Sequence, residues 1–442
     1  MRMIPRIAVA VESLLGPWAE QVNQVCQVVQ RQRKFTAATL ARTLVLGFLA
    51  KPDASDKELA EVAALCGVEV SPQAIEQRFT PRLVQFAEAL LRAAIRAVIG
   101  AETALAPLLA RFASVAILDS TTIPLPDALR ERFPGCGGSH GSGQAALKIQ
   151  LQWDLRTGAW QAVSLEPGRD SDYKTPLQWA ALPPGALRIA DLGYFDTAVL
   201  EQLAQSEVFW LSRLQFSTTV FTPQGARLPV QSWLAEQPKA VIDELVRIGT
   251  ERKLPCRLLA WRVPQPVAKR RRARLVTEAD RKSGRIPSRE RLAWCDWTVL
   301  VTNVPSHRLS PQEAAVLYRA RWQIELLFKR WKSLGLVDEL TGATPVRQMA
   351  QLWLRLLAVV VEHWVVLTAG WGDARLSLVK ASQLVRRHAA LLTTVVGHRD
   401  QLQQLLQTLS GAIRATARQN KRKRPSTFEL LHNPSLLEYA LT

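Results

Sequence analysis

Five short runs rich in β-branched and aromatic residues follow one another between residues 111 and 214, and they restrict the folds open to this chain. The runs occupy residues 112–125, 146–155, 159–167, 187–195 and 207–214. Short connections join the first three, and helical pattern falls at about 173–181 and 195–205 among the later ones. Strands that first follow one another directly and then alternate with helices favour a mixed α/β sheet covered by helices.

The regions on either side of these runs have a different texture. Residues 1–105 lack strand-like alternation and are rich in Ala, Leu, Gln and Val at helical spacing, and residues 341–442 are helical again. Within the core region, 106–340, the segment 215–305 leans towards β-structure and is interpreted as an inserted subdomain. The sequence therefore predicts helical amino- and carboxy-terminal domains flanking a mixed-sheet core with a β-rich insertion.

One stretch of the amino-terminal region has the outline of a helix-turn-helix. A first helical run ends at a turn marked by Gly67, and Ser71 followed by Pro72 is typical of the start of a second helix. That second helix would present Gln73, Glu76, Gln77 and Arg78 to a DNA major groove. An ordinary helical hairpin accounts for the same pattern, and the sequence leaves both open.

The charge balance indicates a polyanionic partner. The chain has 57 Lys and Arg against 38 Asp and Glu, a net charge of +19. Nucleic acid is the partner that best fits such an excess, although a basic ribosome-associated protein would have it too. The run "KRRRAR" lies in the insertion and is expected to form a mobile loop that contacts phosphates. Its first four members are Lys269, Arg270, Arg271 and Arg272.

The cysteines and the apolar segments bear on location. Five scattered cysteines without a C-x-x-C pair favour neither a disulfide framework nor a zinc site, which fits a reducing cytoplasm. The most apolar segment, 352–371, carries Arg355, Glu362 and His363 and is expected to be a buried helix, with no membrane partner. A cytoplasmic, nucleoid-associated protein is the resulting expectation.

The run "YRARWQIELLFKRWKS" places one carboxylate among several cations. Ser310, Pro311 and Glu313 predict the start of its helix through a capping box, and Gly335 predicts the end. At about 100° per residue, four polar side chains fall within an arc of about 60°. They are Tyr318, Arg321, Glu325 and Lys332, with Lys329 beside them. A solvated salt-bridge helix shows similar offsets, but the excess of cations around one acid suits phosphates held near a metal-binding carboxylate.

Two further acids are candidates for the same site. Asp119 follows an apolar strand run, and Asp191 ends another one before a turn and a helix. Strand ends are where open α/β sheets build active sites. Hard oxygen ligands suit Mg²⁺, with Mn²⁺ as a substitute, and two such ions serve phosphodiester chemistry. Taken singly, each Asp is also compatible with a cap or a turn.

Together the motifs "LDST", "ADLGYF" and Y-x₂-R-x₃-E-x₆-K resemble the bacterial insertion-sequence transposases of the DDE type, the IS-four family with its YREK signature. The resemblance spans about 111–340. It implies an RNase H-like core in which Asp119, Asp191 and Glu325 bind two divalent metal ions. It also implies that Tyr318, Arg321 and Lys332 contact phosphates near the transposon end.

The resemblance extends to a tryptophan and to the mode of action. Some relatives keep a β-strand tryptophan that stabilises a flipped base, and Trp297 is the nearer match by spacing, with Trp294 as a rival. A tryptophan in a strand is also compatible with a core role. The implied function is cut-and-paste transposition by a homodimer on double-stranded terminal inverted repeats and target DNA. A metal-dependent nuclease with the same core, or a catalytically idle DNA-binding regulator, are the alternatives.

Overall fold

The computed structural model describes residues 3–31, 33–101, 106–137, 143–284, 286–420 and 423–437. The strands are β1 (Val115–Leu125), β2 (Ala145–Asp154), β3 (Trp160–Pro167), β4 (Leu187–Ala190), β5 (Phe209–Arg213), β6 (Val220–Phe221), β7 (Arg227–Leu228), β8 (Val241–Ile248), β9 (Leu254–Arg262) and β10 (Trp297–Thr302).

The helices before the insertion are α1 (Met3–Leu14), α2 (Pro17–Cys26), α3 (Ala37–Ala50), α4 (Asp56–Leu65), α5 (Pro72–Glu76), α6 (Pro81–Arg96), α7 (Pro107–Ala110) and α8 (Thr197–Gln205). Those within and after it are α9 (Val230–Ala235), α10 (Gln265–Ser283), α11 (Arg289–Trp294), α12 (Pro311–Ala320), α13 (Trp322–Gly335), α14 (Pro345–Leu367), α15 (Leu378–Arg387), α16 (Ala389–Val395), α17 (Arg399–Thr416) and α18 (Thr427–His432).

All ten strands belong to one sheet, in the order β3-β2-β1-β4-β5-β10-β9-β8-β6-β7. Strands β1, β4 and β5 run parallel, while β2 and β3 pair antiparallel on one side and β10, β9 and β8 on the other. The sequence prediction of a mixed α/β core flanked by helices is therefore confirmed, with a β-rich insertion that extends the core sheet.

The polar segment after β3 differs from the sequence prediction of a helix at 173–181. It forms two short 3₁₀ turns, Asp172–Lys174 and Pro176–Trp179. Pro176 explains the interruption, because a residue that precedes proline is disfavoured in the helical region, and Thr175 is indeed extended. The predicted helix at 195–205 is present as α8.

The basic run in the insertion is also different from its prediction. The run "KRRRAR" lies within α10, a 19-residue helix, so the expectation of a mobile loop is wrong. Arginine is a good helix former. Two members of the run also contact the chain at the start of β10. Arg271 donates to the Trp297 carbonyl at 3.0 Å, and Arg272 forms an ion pair with Asp296.

The helices at the two ends of the chain share one hydrophobic core with β1–β3. The central element is α14, which packs against α3, α6 and α13. Among the described residues, α14 is the one helix that is both long enough and apolar enough to cross a membrane. Its apolar window is, however, wholly buried inside the protein. The expectation that this segment is a buried helix is thus confirmed.

Candidate active site

The register of the sheet brings two of the three candidate acids together. In the parallel pair β1–β4, Leu118 lies opposite Ala190. The next residues along the two strands are Asp119 and Asp191, so their backbones are neighbours at the same edge of the β1–β4 pair. Strand β1 continues beyond this point through its pairing with β2, whereas β4 ends, which leaves Asp191 at a strand terminus. This is the arrangement that an open α/β sheet offers for an active site.

The third acid comes from α13, which packs over the β1–β3 part of the sheet. Its apolar stripe, including Ile324, Phe328 and Trp331, is buried in the shared core, and the Trp331 ring lies 4.8 Å from the Trp160 ring between their centroids. Glu325 stands beside this stripe and is half-buried. The sequence predicted one helix from Ser310 to Gly335, but the structure has α12 and α13.

The break between the two helices falls at Arg321, one of the predicted site residues. Its N–H bonds to the Tyr318 carbonyl three residues back, at 3.2 Å, instead of four back. The start of α12 is as predicted, with Ser310 and Glu313 in a capping box. At the other end, α13 includes Gly335, and the left-handed residue that closes it is Leu336, with φ of 46°. Arg321 itself keeps helical backbone angles, with φ of −50° and ψ of −37°, so the helical spacing of the predicted arc continues across the break.

Arg321 joins the two acids that lie on different elements. One guanidinium nitrogen lies 2.8 Å from Asp119 Oδ2, and another lies 2.8 Å from Glu325 Oε1. Charge-assisted contacts of this kind are short and strong, and the planar guanidinium fixes their relative direction. Arg321 thus orders the two carboxylates before any ligand is present.

Tyr318 and Lys332 also reach the site. The Tyr318 hydroxyl donates to Asp191 Oδ1 at 3.3 Å, and Lys332 Nζ donates to the Thr122 carbonyl of β1 at 2.9 Å. All four polar side chains of the predicted arc therefore face the sheet from α12, α13 and the residue between them. Lys329 is not: it is exposed, and its ammonium lies 4.9 Å from the ring centroid of the exposed Trp322.

The electrostatics of the site reflect this crowding. Burial raises the pKa of Asp119 to about 6; Glu325 and Asp191 add to the rise, while the Ser120 N–H and Arg321 oppose it. Burial and the neighbouring Asp191 carboxylate also raise the pKa of Tyr318, so its hydroxyl stays a hydrogen-bond donor at neutral pH. The three carboxylates therefore outnumber the Arg321 guanidinium that pairs with two of them, and negative charge is in excess among these four groups.

The donor set suits a hard divalent cation, but the side chains are not arranged around one. Three carboxylates offer the oxygen ligands that Mg²⁺ prefers. Within the described ranges, however, no three His, Cys, Asp or Glu side chains are grouped closely enough to hold one ion. The Arg321 guanidinium lies between Asp119 and Glu325 and accounts for that spacing. The oxygen chemistry of the three carboxylates thus fits a divalent cation, while Arg321 pairs with two of them in this structure.

The two candidate tryptophans lie apart from these acids in the insertion half of the sheet. Trp297 starts β10 and is only 4% exposed, within a second apolar core, with the Arg262 guanidinium 4.7 Å from its ring centroid. Trp294 ends α11 and packs edge-on against Phe216, with ring centroids 5.6 Å apart. The structure thus gives Trp297 a core position and brings neither ring into contact with the acids.

The remaining predicted contacts are distributed over two surfaces. On α10, Lys269 and Arg270 are exposed, whereas Arg271 and Arg272 are half-buried through the contacts given above. In the amino-terminal region, Ser71 caps α5 as predicted, and Gln73 and Gln77 are exposed. The second helix of the proposed helix-turn-helix is short, at five residues.

Sequence analysis missed one carboxylate next to the acids. Asp172 Oδ1 lies 2.9 Å from the hydroxyl of Ser120, the residue after Asp119. A single Asp in a polar turn gives no pattern from which this position could be recognised. Only the fold of the segment between β3 and β4 brings it to the sheet.

Comparison with known proteins agrees with this geometry. The family described as Transposase DDE domain matches residues 110–361, which is more than half of the chain and includes all three acids. The transposase for insertion sequence element IS231F of Bacillus thuringiensis subsp. israelensis is 26% identical over 441 residues, covering 93% of this chain and 91% of the relative. The transposase for insertion sequence element IS1151 of Clostridium perfringens is 25% identical, covering 79% and 78%.

A shorter match is the putative transposase InsL for insertion sequence element IS186A of Escherichia coli (strain K12), which is 30% identical over 227 residues and covers 49% of this chain and 60% of the relative. The first two relatives match most of the present chain. The acids, the sheet that carries them and the family match therefore agree, and the chain belongs to the family of insertion-sequence transposases with a DDE domain.

Proposed function

We propose that the protein cuts and rejoins DNA at the terminal inverted repeats of its own insertion sequence, with Asp119, Asp191 and Glu325 as the metal-binding acids. The observation that supports this most strongly is the meeting of these three acids, from β1, the end of β4 and α13: Arg321 pairs with Asp119 and Glu325, and the Tyr318 hydroxyl donates to Asp191. Membership of the DDE family implies a divalent metal requirement. Two Mg²⁺ ions, replaceable by Mn²⁺, are the proposed complement.

The chain's own residues have separate tasks in this proposal. When bound, the ions activate the attacking oxygen and stabilise the leaving oxygen of the phosphodiester. Arg321 releases Asp119 and Glu325 and turns its planar fork to a phosphate, for which its two nitrogens are well suited. Tyr318 remains protonated and orients Asp191. Lys332 lies next to β1, where it would contact the phosphate backbone of the bound DNA strand.

Recognition of the DNA end is assigned to the amino-terminal helices. Exposed Gln73 on α5 and Gln77 directly after it have the side chains that read adenine edges in a major groove. A groove of about 690 Å³ lies nearby, and it contains four arginines and no acid. They are Arg31, Arg33, Arg78 and Arg82. We infer that these arginines contact phosphates while the glutamines contact bases, with Lys269 and Arg270 of α10 as a further phosphate surface.

Salt dependence tests the arginine groove. Each phosphate contact that is lost lowers the slope of log affinity against log salt by about one. Arg31→Ala and Arg82→Ala are therefore expected to weaken binding to all sequences and to flatten this slope, while Gln77→Ala is expected to reduce discrimination between the cognate end and other DNA. Unchanged slopes in both arginine variants would move phosphate binding away from this groove. Point variants are preferable to removing residues 1–105, because these helices share the core of α14.

A strand-transfer assay tests the function as a whole. The DNA on either side of the gene supplies the ends, which are expected to be imperfect inverted repeats. With Mg²⁺, the protein is expected to cut at these ends and to join the released 3′-hydroxyl to a target duplex, acting as a homodimer on paired ends. Cutting without joining would indicate a nuclease, and binding without cutting would indicate a regulator.

A further inference from the structure

A network of polar side chains lies behind the strand that carries Asp119. Successive side chains of a strand point to opposite faces of the sheet, so Ser120 faces away from Asp119 and from α13. In the antiparallel pair β1–β2, Ser120 lies opposite Gln150, and Thr122 lies opposite Lys148. Gln150 and Lys148 are both buried. This second face of the sheet is covered by the 3₁₀ segment that begins at Asp172.

Asp172 is the acceptor on which these side chains converge. Its Oδ1 lies 2.9 Å from Ser120 Oγ, 2.9 Å from Gln150 Nε2 and 3.2 Å from Lys148 Nζ. Lys148 also donates to the carbonyl of Asp170, which holds the turn against β2. One carboxylate oxygen therefore connects the residue after Asp119 to two buried side chains of the neighbouring strand.

The same network reaches the segment that carries Asp191. The Tyr194 hydroxyl donates to Gln150 Oε1 at 2.6 Å, and the Tyr194 N–H bonds to the Asp191 carbonyl at 3.0 Å. Gly193, between Asp191 and Tyr194 in the chain, lies beside Asp172: a Cβ added to it would be in van der Waals contact, 3.6 Å from the Asp172 carboxylate. A continuous path thus runs from Ser120 through Asp172 and Gln150 to Tyr194, and it joins the neighbours of both aspartates.

We infer that Asp172, acting through Gln150, is a positioning residue that fixes the spacing of Asp119 and Asp191 for metal binding. This inference rests on the proposed function, since it needs the two aspartates to be metal ligands. Strand β1 and the turn after β4 are joined in the sheet only as far as Leu118 and Ala190, so the acids themselves lie just beyond the ladder. The side-chain path continues the connection where the backbone pairing ends. Outer contacts of this kind typically change metal affinity or activity by about 10–100-fold when removed.

Metal affinity, measured apart from turnover, tests the inference. The full-length protein would be saturated with a duplex that ends in the already cleaved 3′-hydroxyl, so that no strand is cut during the titration. Mn²⁺ binding would then be followed by electron paramagnetic resonance. Asp172→Ala is expected to raise the Mn²⁺ dissociation constant by about tenfold or more. Asp172→Asn keeps an acceptor oxygen for Ser120 and Gln150 and is expected to recover most of the affinity. A dissociation constant within twofold of the wild type in Asp172→Ala would overturn the inference.

Two further variants separate this role from general stability. Thr175→Val removes the buried bond from Thr175 Oγ1 to Glu166 Oε1, 2.7 Å long, which anchors the same segment without touching the path. It is expected to leave Mn²⁺ binding unchanged, and an equal loss in Thr175→Val and Asp172→Ala would refute a specific role. Should Asp172→Ala fail to fold, Tyr194→Phe removes one hydroxyl from the path and is expected to weaken Mn²⁺ binding in the same direction; unchanged binding there would also contradict the inference.

Glu325→Ala supplies the reference for the proposed function. If the wild type bound Mn²⁺ no better than Glu325→Ala, the metal assignment of the acids would fail. If the wild type bound Mn²⁺ well and Asp172→Ala bound it equally well, only the role of Asp172 would fail. The two failures therefore give different results.

Discussion

Helix α13 contributes to two clusters of charged side chains, and they are built in opposite ways. At the candidate active site, Arg321 pairs with Asp119 and Glu325, and the side chains of these three residues are 13–27% exposed; Asp191 accepts from Tyr318 beside them. Further along the helix, Arg330 joins Arg386 around Glu362, and these side chains are only 3–9% exposed. One cluster has an excess of acid and is open to ligands, while the other has an excess of base and is closed.

Under the proposed function, the difference separates a cluster that takes up an external cation from one that holds the fold together. In the buried cluster one carboxylate holds two guanidinium groups: Glu362 Oε2 lies 2.6 Å from Arg386 Nε, and Glu362 Oε1 lies 3.8 Å from Arg330 Nε. It joins α13, α14 and α15 and so fixes where α13 lies. The cluster at the candidate active site has more carboxylates than guanidinium groups, which is the charge balance that the proposed divalent ions require.

The largest effect on stability is expected from the closed cluster. Glu362→Ala would leave two buried guanidinium groups facing each other, and breaking a buried pair in this way typically costs about 3–5 kcal/mol of unfolding free energy. Glu325→Ala, in the open cluster, is expected to cost less than about 1 kcal/mol. Thermal and urea unfolding of the two variants measure this directly. Equal losses would remove the distinction between the clusters.

Acid is expected to weaken the region around the closed cluster. Burial and the neighbouring Arg330 together lower the pKa of His363 to about 3, although the contact with the Gly158 carbonyl opposes both. The ordinary pKa of histidine is 6.5. Between pH 6.5 and about pH 3, His363 is therefore protonated in the unfolded chain but neutral in the folded chain. Stability contributed by neutral His363 is therefore complete above pH 6.5 and falls below it, by up to about 1.4 kcal/mol per pH unit.

Unfolding measured at pH 7, 6 and 5 checks this slope. His363→Gln is expected to reduce the dependence on pH, whatever it does to the stability at pH 7. If wild type and variant lost stability in parallel between pH 7 and pH 5, the burial of a neutral His363 would not be the cause.

A smaller effect, on rate and not on stability, is expected from Arg321. Arg321→Lys retains the charge but loses the planar fork that reaches two acceptors, and Arg321→Ala loses both. Each is expected to slow single-turnover cleavage by about one to two orders of magnitude, equivalent to roughly 1.5–3 kcal/mol. End binding is expected to stay within about twofold, because many other phosphate contacts carry it. Arg319→Ala, at an exposed position two residues away, is the matched control. An effect of the same size in Arg319→Ala would mean that Arg321 contributes only its positive charge and not a specific contact.

Much of the site could be predicted from the sequence, because its parts follow local rules. The strand runs that carry Asp119 and Asp191, and the capping box at Ser310, are each encoded within a few residues, although β1 continues past Asp119 and only Asp191 lies at a strand end. Helical spacing correctly placed Tyr318, Arg321, Glu325 and Lys332 on one side, even though the helix has a break at Arg321.

What could not be predicted depends on contacts distant in sequence. Asp172 meets Gln150 only when the turn after β3 folds against β2. The basic run was expected to be a mobile loop, but it lies in a helix, and Arg272 of that helix forms an ion pair with Asp296, 24 positions further along the chain. Trp297 likewise gives no sign in the sequence that Arg262 covers its ring.

The most direct test of the account is cleavage of bound end DNA under single-turnover conditions in Mg²⁺. Asp119→Ala, Asp191→Ala and Glu325→Ala are each expected to lower the cleavage rate by at least about a thousandfold, since the loss of metal-held charge stabilisation costs several kcal/mol in the barrier. Binding to the end is expected to remain largely intact in all three variants. A near-normal cleavage rate in any one of them would contradict the assignment of these three acids as the metal site.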